Sequence, residues 1–318
     1  MRGLTRNVLL AALMLAVAAP AVASAEELTV PWTAQGGTDA QIQAPDSAPA
    51  GSNDFSCEPN PKHPHTVVLV HGLAANRTVN WSTMSPFLAN RGFCVFALTY
   101  GERDGVSFPG YQPGGMKRMQ RSAQELSRFI DRALDATGAR KVDIVGHSQG
   151  SLMPNYFVKF MNGDEVVDDY VGVTPLWDGT NPAGLATLDG IGQALGFEQV
   201  TYEALEPSCA SCRQFLSSSK FIAKMSSGGG PRVPGVDYTM VMTKNDELVS
   251  PWQSGYMDGA NNLVVQDQCI QDQSEHLSVI YDPITAYDIL NALDPRHLQD
   301  VPCVPVLPFV GAPGYTGN

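Results

Sequence analysis

Basic charge is scarce in this chain. Lys and Arg number 20 against 32 Asp and Glu, a formal net charge of −12 at pH 7. That balance excludes nucleic acid and anionic membrane surfaces as intended partners. Long apolar runs are equally scarce. The single one, Val8–Val22, follows Arg2 and Arg6 and ends at Ala23-Ser24-Ala25. It is shorter than the ~20 residues that span a bilayer, which argues against an anchor. A basic start, an apolar middle and an A-x-A site instead read as a signal peptide over residues 1–25. The expected mature chain begins at Glu26, carries −14 and is secreted to the extracellular space. No internal repeat is present, which excludes a repeat architecture. Cys209 and Cys212 could form half a zinc site, but no second Cys/His pair accompanies them, so no metal is expected.

What is present points to one large α/β domain. Hydrophobic residues make up 43% of the chain, enough for a well-buried core. Residues 26–56, rich in Ala, Gly, Pro, Ser and Asp, read as an extended lead-in, with the catalytic domain over 57–318. Short β-branched runs then mark strands at 67–70, 93–98, 141–145, 170–174, 238–243 and 263–266. Between them, Met119, Ala123, Leu126, Phe129, Ile130, Ala133 and Leu134 keep helical spacing within 116–136, with Gly138 as the stop. A second helix should run from Ser148 to about Met161. Alternating strands and helices give a mainly parallel central sheet with helices on both faces. Residues 177–234 break the alternation and read as a cap-like insertion or a long surface excursion. Residues 301–318 read as an extended tail.

The strongest chemical signal is Gly146-His147-Ser148-Gln149-Gly150, between a strand and a helix. That is the setting of a nucleophile elbow, where a serine on a tight turn needs glycines two residues to either side. A serine hydroxyl is a weak nucleophile and needs a base oriented by an acid. In this arrangement the acid and then the histidine follow the serine along the chain. Asp246, after the strand at 238–243, is the expected acid, with Glu247 and Asp258 as competitors. His276, in Ser274-Glu275-His276, is the expected base, ahead of His297. The oxyanion donors are expected to be the backbone N–H groups of Gln149 and Leu73. His71 and His147 read as structural neighbours of these loops. Thr174–Trp177, Leu277 and Val279 are expected pocket walls. The reaction class is acyl transfer to water with no cofactor. A peptidase, thioesterase or polyester depolymerase would use the same three residues, and a non-catalytic binding module is the remaining alternative.

The loop His71-Gly72-Leu73, the elbow, Thr243-Lys244-Asn245-Asp246-Glu247-Leu248-Val249-Ser250-Pro251 and Ser274-Glu275-His276 together resemble secreted actinobacterial class-2-type lipases. More remotely they resemble the Candida antarctica lipase B type. The resemblance covers roughly residues 57–303. It implies an α/β-hydrolase fold with a cap over 177–234, and a carboxylic-ester hydrolase acting on acylglycerols, with short-chain or polyester esterase as the alternative. The implied partner is a small-molecule or lipid ester, met at a transient lipid interface without a stable anchor. An even cysteine count in an exported chain implies disulfides, and six cysteines allow 15 pairings. The resemblance selects Cys57 with Cys94, Cys269 with Cys303, and Cys209 with Cys212. Two departures stand out: Leu73 replaces a threonine that adds a hydroxyl to the oxyanion hole, and no long segment with a helix follows Cys303.

Overall fold

The computed structural model describes residues 27–194 and 206–317. The leader expected over 1–25 lies outside the described residues, as does 195–205 of the insertion. Six strands form one parallel sheet: β1 (Thr66–Val70), β2 (Cys94–Leu98), β3 (Val142–His147), β4 (Val167–Val173), β5 (Asp237–Met242) and β6 (Asn261–Val264). Their spatial order is β2-β1-β3-β4-β5-β6. The register runs Thr66 beside Cys94 and Val142, and Val70 beside Leu98 and Gly146.

Every residue of β1 is buried, because helices cover both faces of the sheet. Val68, Val70 and Phe96 face one layer, formed by α2 (Met119–Thr137) and α3 (Gln149–Phe160). Val67, Leu69 and Val95 face the other, which holds the short helix Met84–Ala89 and α5 (Pro283–Leu293). The apolar stripe of α2 is what buries it, through Met119, Ala123, Leu126, Phe129, Ile130 and Ala133. Each such Leu or Ile contributes about 1.5–3 kcal/mol when fully buried. Gly138 ends this helix in the left-handed conformation, at φ 71°. A further helix, α4 (Leu185–Ala194), lies in the insertion.

Three local differences from the sequence expectation have physical causes. Residues 26–56 are not simply extended, since α1 (Ala34–Gln43) forms within them. Packing makes this helix: a Cβ on Gly37 would lie 2.8 Å from the Val79 carbonyl, so glycine permits the close approach. The last strand ends at Val264, and Val265–Gln268 is a helical turn. Gln266 is drawn out of the strand, accepting from Lys244 N at 2.7 Å and donating to Thr243 Oγ1 at 2.9 Å. The tail is folded back, with Val306 bridging Asp272 and Gly311 bridging Thr33. Disulfides join Cys57 to Cys94, Cys209 to Cys212 and Cys269 to Cys303, with Cα separations of 5.8, 5.4 and 5.2 Å.

Candidate active site

The elbow between β3 and α3 holds Ser148 at φ 55° and ψ −123°, a conformation that L side chains rarely adopt. The two glycines make it possible. A Cβ on Gly146 would lie 2.0 Å from the Gly150 carbonyl oxygen, and one on Gly150 would lie 2.1 Å from the Val70 oxygen. Any larger residue at either position forces β1, β3 and α3 apart. The turn lifts the serine above the C-terminal edge of the sheet, where the loops after β5 and β6 converge on it.

His276 Nε2 lies 2.8 Å from Ser148 Oγ. His276 Nδ1 lies 2.9 Å from both oxygens of Asp246. Both side chains are buried, at 4% and 2% exposure, so water does not compete for the pair. Asp246 is itself fixed by its loop, accepting from Leu248 N at 3.0 Å and Val249 N at 2.7 Å. The competing residues stand elsewhere. Glu247 is exposed, and its carboxylate accepts from the His276 backbone N–H at 3.4 Å, not from the imidazole. Asp258 is exposed beyond β5. His297 pairs with Asp294 at 2.7 Å with half its side chain in solvent.

The N–H of Gln149 opens α3, so it has no intrahelical acceptor. The facing loop is packed against the nucleophile, since a Cβ on Gly72 would sit 3.3 Å from Ser148 Cβ. Gly72 N already donates to Asn80 Oδ1 at 3.0 Å, which leaves Leu73 as the next amide along that loop. The loop is held from behind. His71 Nδ1 donates to the Gly72 oxygen at 2.7 Å, and its Nε2 accepts from Tyr100 N at 3.3 Å. One donor and one acceptor require a neutral ring, and burial pushes its pKa down to about 4. Tyr100 Oη donates to the His71 carbonyl at 2.8 Å, and the Gln149 side chain donates from Nε2 to Gly115 O at 2.8 Å.

His147 is likewise buried, and burial followed by the neighbouring His276 pushes its pKa down to about 3. Its Nε2 donates to the His276 carbonyl at 2.9 Å, and its Nδ1 lies 3.0 Å from Asn80 Oδ1. Glu275 is a tie not anticipated from the sequence. Its carboxylate accepts from Leu277 N at 2.6 Å, Ser278 N at 2.9 Å and Phe309 N at 2.8 Å. It thereby fastens the tail to the histidine loop. No periodic pattern marks such a residue, because its partner is 34 residues away.

A cavity of about 830 Å³ opens over Ser148 and His276. Val79, Leu176, Phe215, Leu216, Ile280 and Tyr281 line it, with Leu185 and Leu188 from α4. Of the expected walls, Leu176 and Leu277 line it and the others do not. Trp177 turns into the core, donating from Nε1 toward Met240 Sδ at 3.1 Å, and Val279 packs beneath the sheet with Val173 and Val241. The Asp189 and Arg213 side chains form a buried ion pair at the cavity wall, tying α4 to the Cys209–Cys212 loop.

A parallel sheet with a serine elbow and a later Asp–His pair at its C-terminal edge defines the α/β-hydrolase class. Solved structures with this fold include Aspergillus fumigatus lipase B, with a TM-score of 0.58 over 80% of this chain and 56% of that one at 18% identity. They also include Bacillus licheniformis lipase BlEst2 in its mature form, at 0.50 over 70% of this chain and 89% of that one with 14% identity. The lipase (class 2) family model matches residues 64–287, so the chain belongs to the class 2 lipase family. Similar relatives include triacylglycerol lipases of Pseudarthrobacter phenanthrenivorans and Burkholderia plantarii, each 32% identical over 101 residues, 29% of this chain. The chain matches about a quarter of their lengths, 27% and 24%.

Proposed function

We propose that this chain is a secreted serine hydrolase that cleaves carboxylic esters, acylglycerols among them, through an acyl-enzyme on Ser148. The observation that carries this reading is the relay from Ser148 through His276 to Asp246, at 2.8 and 2.9 Å, on the floor of an apolar cavity. Ser148 Oγ attacks the ester carbonyl while His276 Nε2 takes its proton. His276 then delivers that proton to the leaving alcohol, and water repeats the sequence on the acyl-enzyme. Asp246 holds the imidazole tautomer and stabilises the imidazolium. The amides of Gln149 and Leu73 receive the oxyanion, each contributing roughly 3–4 kcal/mol to the transition state.

An apolar cavity favours acyl chains that gain by leaving water. The mouth extends this argument. Leu188, Leu277 and Phe309 are 65%, 48% and 61% exposed at its rim, which suits a lipid aggregate better than bulk water. Residues 177–234 are the proposed cap, contributing α4 and the Phe215–Leu216 wall, within a catalytic domain over 57–318. Export follows from the leader read over residues 1–25 and agrees with the three disulfides.

Turnover of p-nitrophenyl esters across acyl chain lengths, for wild type and Ser148→Ala, tests the reading. Long-chain turnover that vanishes in the variant supports it. Turnover that survives Ser148→Ala removes it, and turnover confined to short soluble esters narrows it to an esterase. A rate jump past the solubility limit of a triacylglycerol would identify the cap as a moving lid.

A further inference from the structure

Beneath the His276 loop two carboxyl groups face each other. Asp272 opens that loop and Asp282 caps α5, and they are 2% and 0% exposed. Asp272 Oδ1 is well supplied, accepting from Ser274 Oγ at 2.6 Å, Ser274 N at 2.7 Å and Gln266 Nε2 at 3.3 Å. Asp272 Oδ2 is buried and, among the described residues, meets no N–H or hydroxyl donor. Ser274 Oγ lies 2.6 Å from Asp272 Oδ1 and 3.5 Å from Asp282 Oδ2, which brings the Asp282 carboxyl within hydrogen-bonding reach of Asp272. A buried acceptor left unmatched is costly, and so are two ionised carboxylates in contact. One proton between them removes both costs.

We propose that Asp282 keeps its proton in the folded protein and donates it to Asp272 Oδ2, and that this shared proton positions His276. The surroundings favour it. Among the described residues, the charged groups that act on Asp282 are Asp272 on the loop and Asp288 on its own helix, both acidic. Burial, then the Asp272 charge, holds the Asp282 carboxyl well above the ordinary carboxylate range. Asp282 still caps α5, accepting from Ile284 N at 2.8 Å and Thr285 Oγ1 at 3.1 Å. The link to chemistry runs through Ser274, two residues before His276. Asp272 holds Ser274 at its N–H and its hydroxyl, and the Ser274 carbonyl accepts from Thr243 Oγ1 at 2.6 Å and Asn245 Nδ2 at 3.3 Å. Those donors belong to the loop that carries Asp246. The pair therefore sets the spacing between the base and its orienting acid. The positioning role rests on the acyl-transfer reading; the shared proton does not.

The test uses the full chain with its disulfides intact. In Asp282→Asn the amide supplies the hydrogen bond at every pH. Between the ordinary carboxyl range and the raised value, the wild-type unfolding constant should climb with pH more steeply than the variant's, by up to ~tenfold per pH unit, one proton's worth. The infrared carbonyl band of a protonated carboxylic acid should be present in wild type at neutral pH and weaker in the variant by one group. Parallel unfolding curves with an unchanged band overturn the shared proton. For positioning, the wild-type kcat on a p-nitrophenyl ester should fall at alkaline pH with KM unchanged, while Asp282→Asn holds its kcat. Asp272→Asn, whose amide donates back to an ionised Asp282, should behave the same way. A wild-type alkaline profile that neither substitution alters overturns the positioning role. Turnover that survives Ser148→Ala would instead remove the acyl-transfer reading and leave the proton in place.

Discussion

At the C-terminal edge of the sheet His276 Nδ1 lies 2.9 Å from Asp246; at the N-terminal edge His65 Nδ1 lies 3.1 Å from Asp143. Both aspartates are buried, and each pair stands beside a cavity, of about 830 Å³ and about 770 Å³ respectively. Neither the pair nor the cavity volume separates the two ends. The surroundings do. His276 has Ser148 at its other nitrogen, whereas among the described residues no serine lines the cavity at the far edge. That cavity is walled by prolines, Arg140, Lys141, Glu165 and Asp168. His65 also shares its nitrogen with Asp168, at 3.5 Å, and Lys141 pairs with the same aspartate at 2.5 Å. One edge isolates a single charge relay in an apolar setting. The other spreads charge over a network, which is a structural clamp across the starts of β1, β3 and β4.

The contrast can be broken most sharply at the serine. Ser148→Ala should lower kcat on a p-nitrophenyl ester by about 10⁶-fold, leaving unfolding by urea unchanged. Asp246→Asn should follow at about 10⁴-fold, because the wrong imidazole tautomer is then favoured. The matching change at the other edge, Asp143→Asn, should leave kcat at the wild-type level and cost about 1–3 kcal/mol of stability in the same urea experiment. A kcat loss there would show the two pairs to be coupled.

The smallest effect is a pH slope. Burial, then the charges of Asp143 and Asp168, pushes the Asp169 carboxyl up to about 8. A carboxyl raised on folding stabilises the folded state while it stays protonated, and the advantage is lost as pH rises from the ordinary carboxyl range through about 8. Partial exposure keeps the slope below ~1.4 kcal/mol per pH unit. His65 is raised mainly by its hydrogen bond to Asp143, so its contribution is present below its ordinary value and is also lost as pH rises. Asp169→Asn should flatten the fall in melting temperature across that window.

How much of this was legible in the sequence depends on the range of the interaction involved. The strands and the elbow are local. Val67–Val70 must be buried on both faces, and glycine at 146 and 150 is needed within five residues of Ser148. The order of Asp246 and His276 after Ser148 is the one expected of this fold class. What the sequence hid is long-range. Glu275 has no pattern that announces its bond to Phe309, and nothing around Asn80 announces that its oxygen meets Gly72 N, eight residues back. Helix α1 was hidden as well, since its adjacent Gly36 and Gly37 are poor helix formers, and only packing explains them: a Cβ on Gly36 would meet Pro31, and one on Gly37 the Val79 carbonyl. Val279 and Trp177 looked like walls because apolarity does not say whether a side chain faces a core or a cavity.

Thr33 pairs with Gly311, Ala34 donates to the Val310 oxygen, and both Ala34 and Phe309 line the catalytic cavity. The beginning and the end of the folded chain thus meet at one rim. A ribosome makes residue 34 long before residue 309. The relay can therefore be aligned only after Phe309 has emerged and returned to residue 34. Until then the cavity over Ser148 lacks one side.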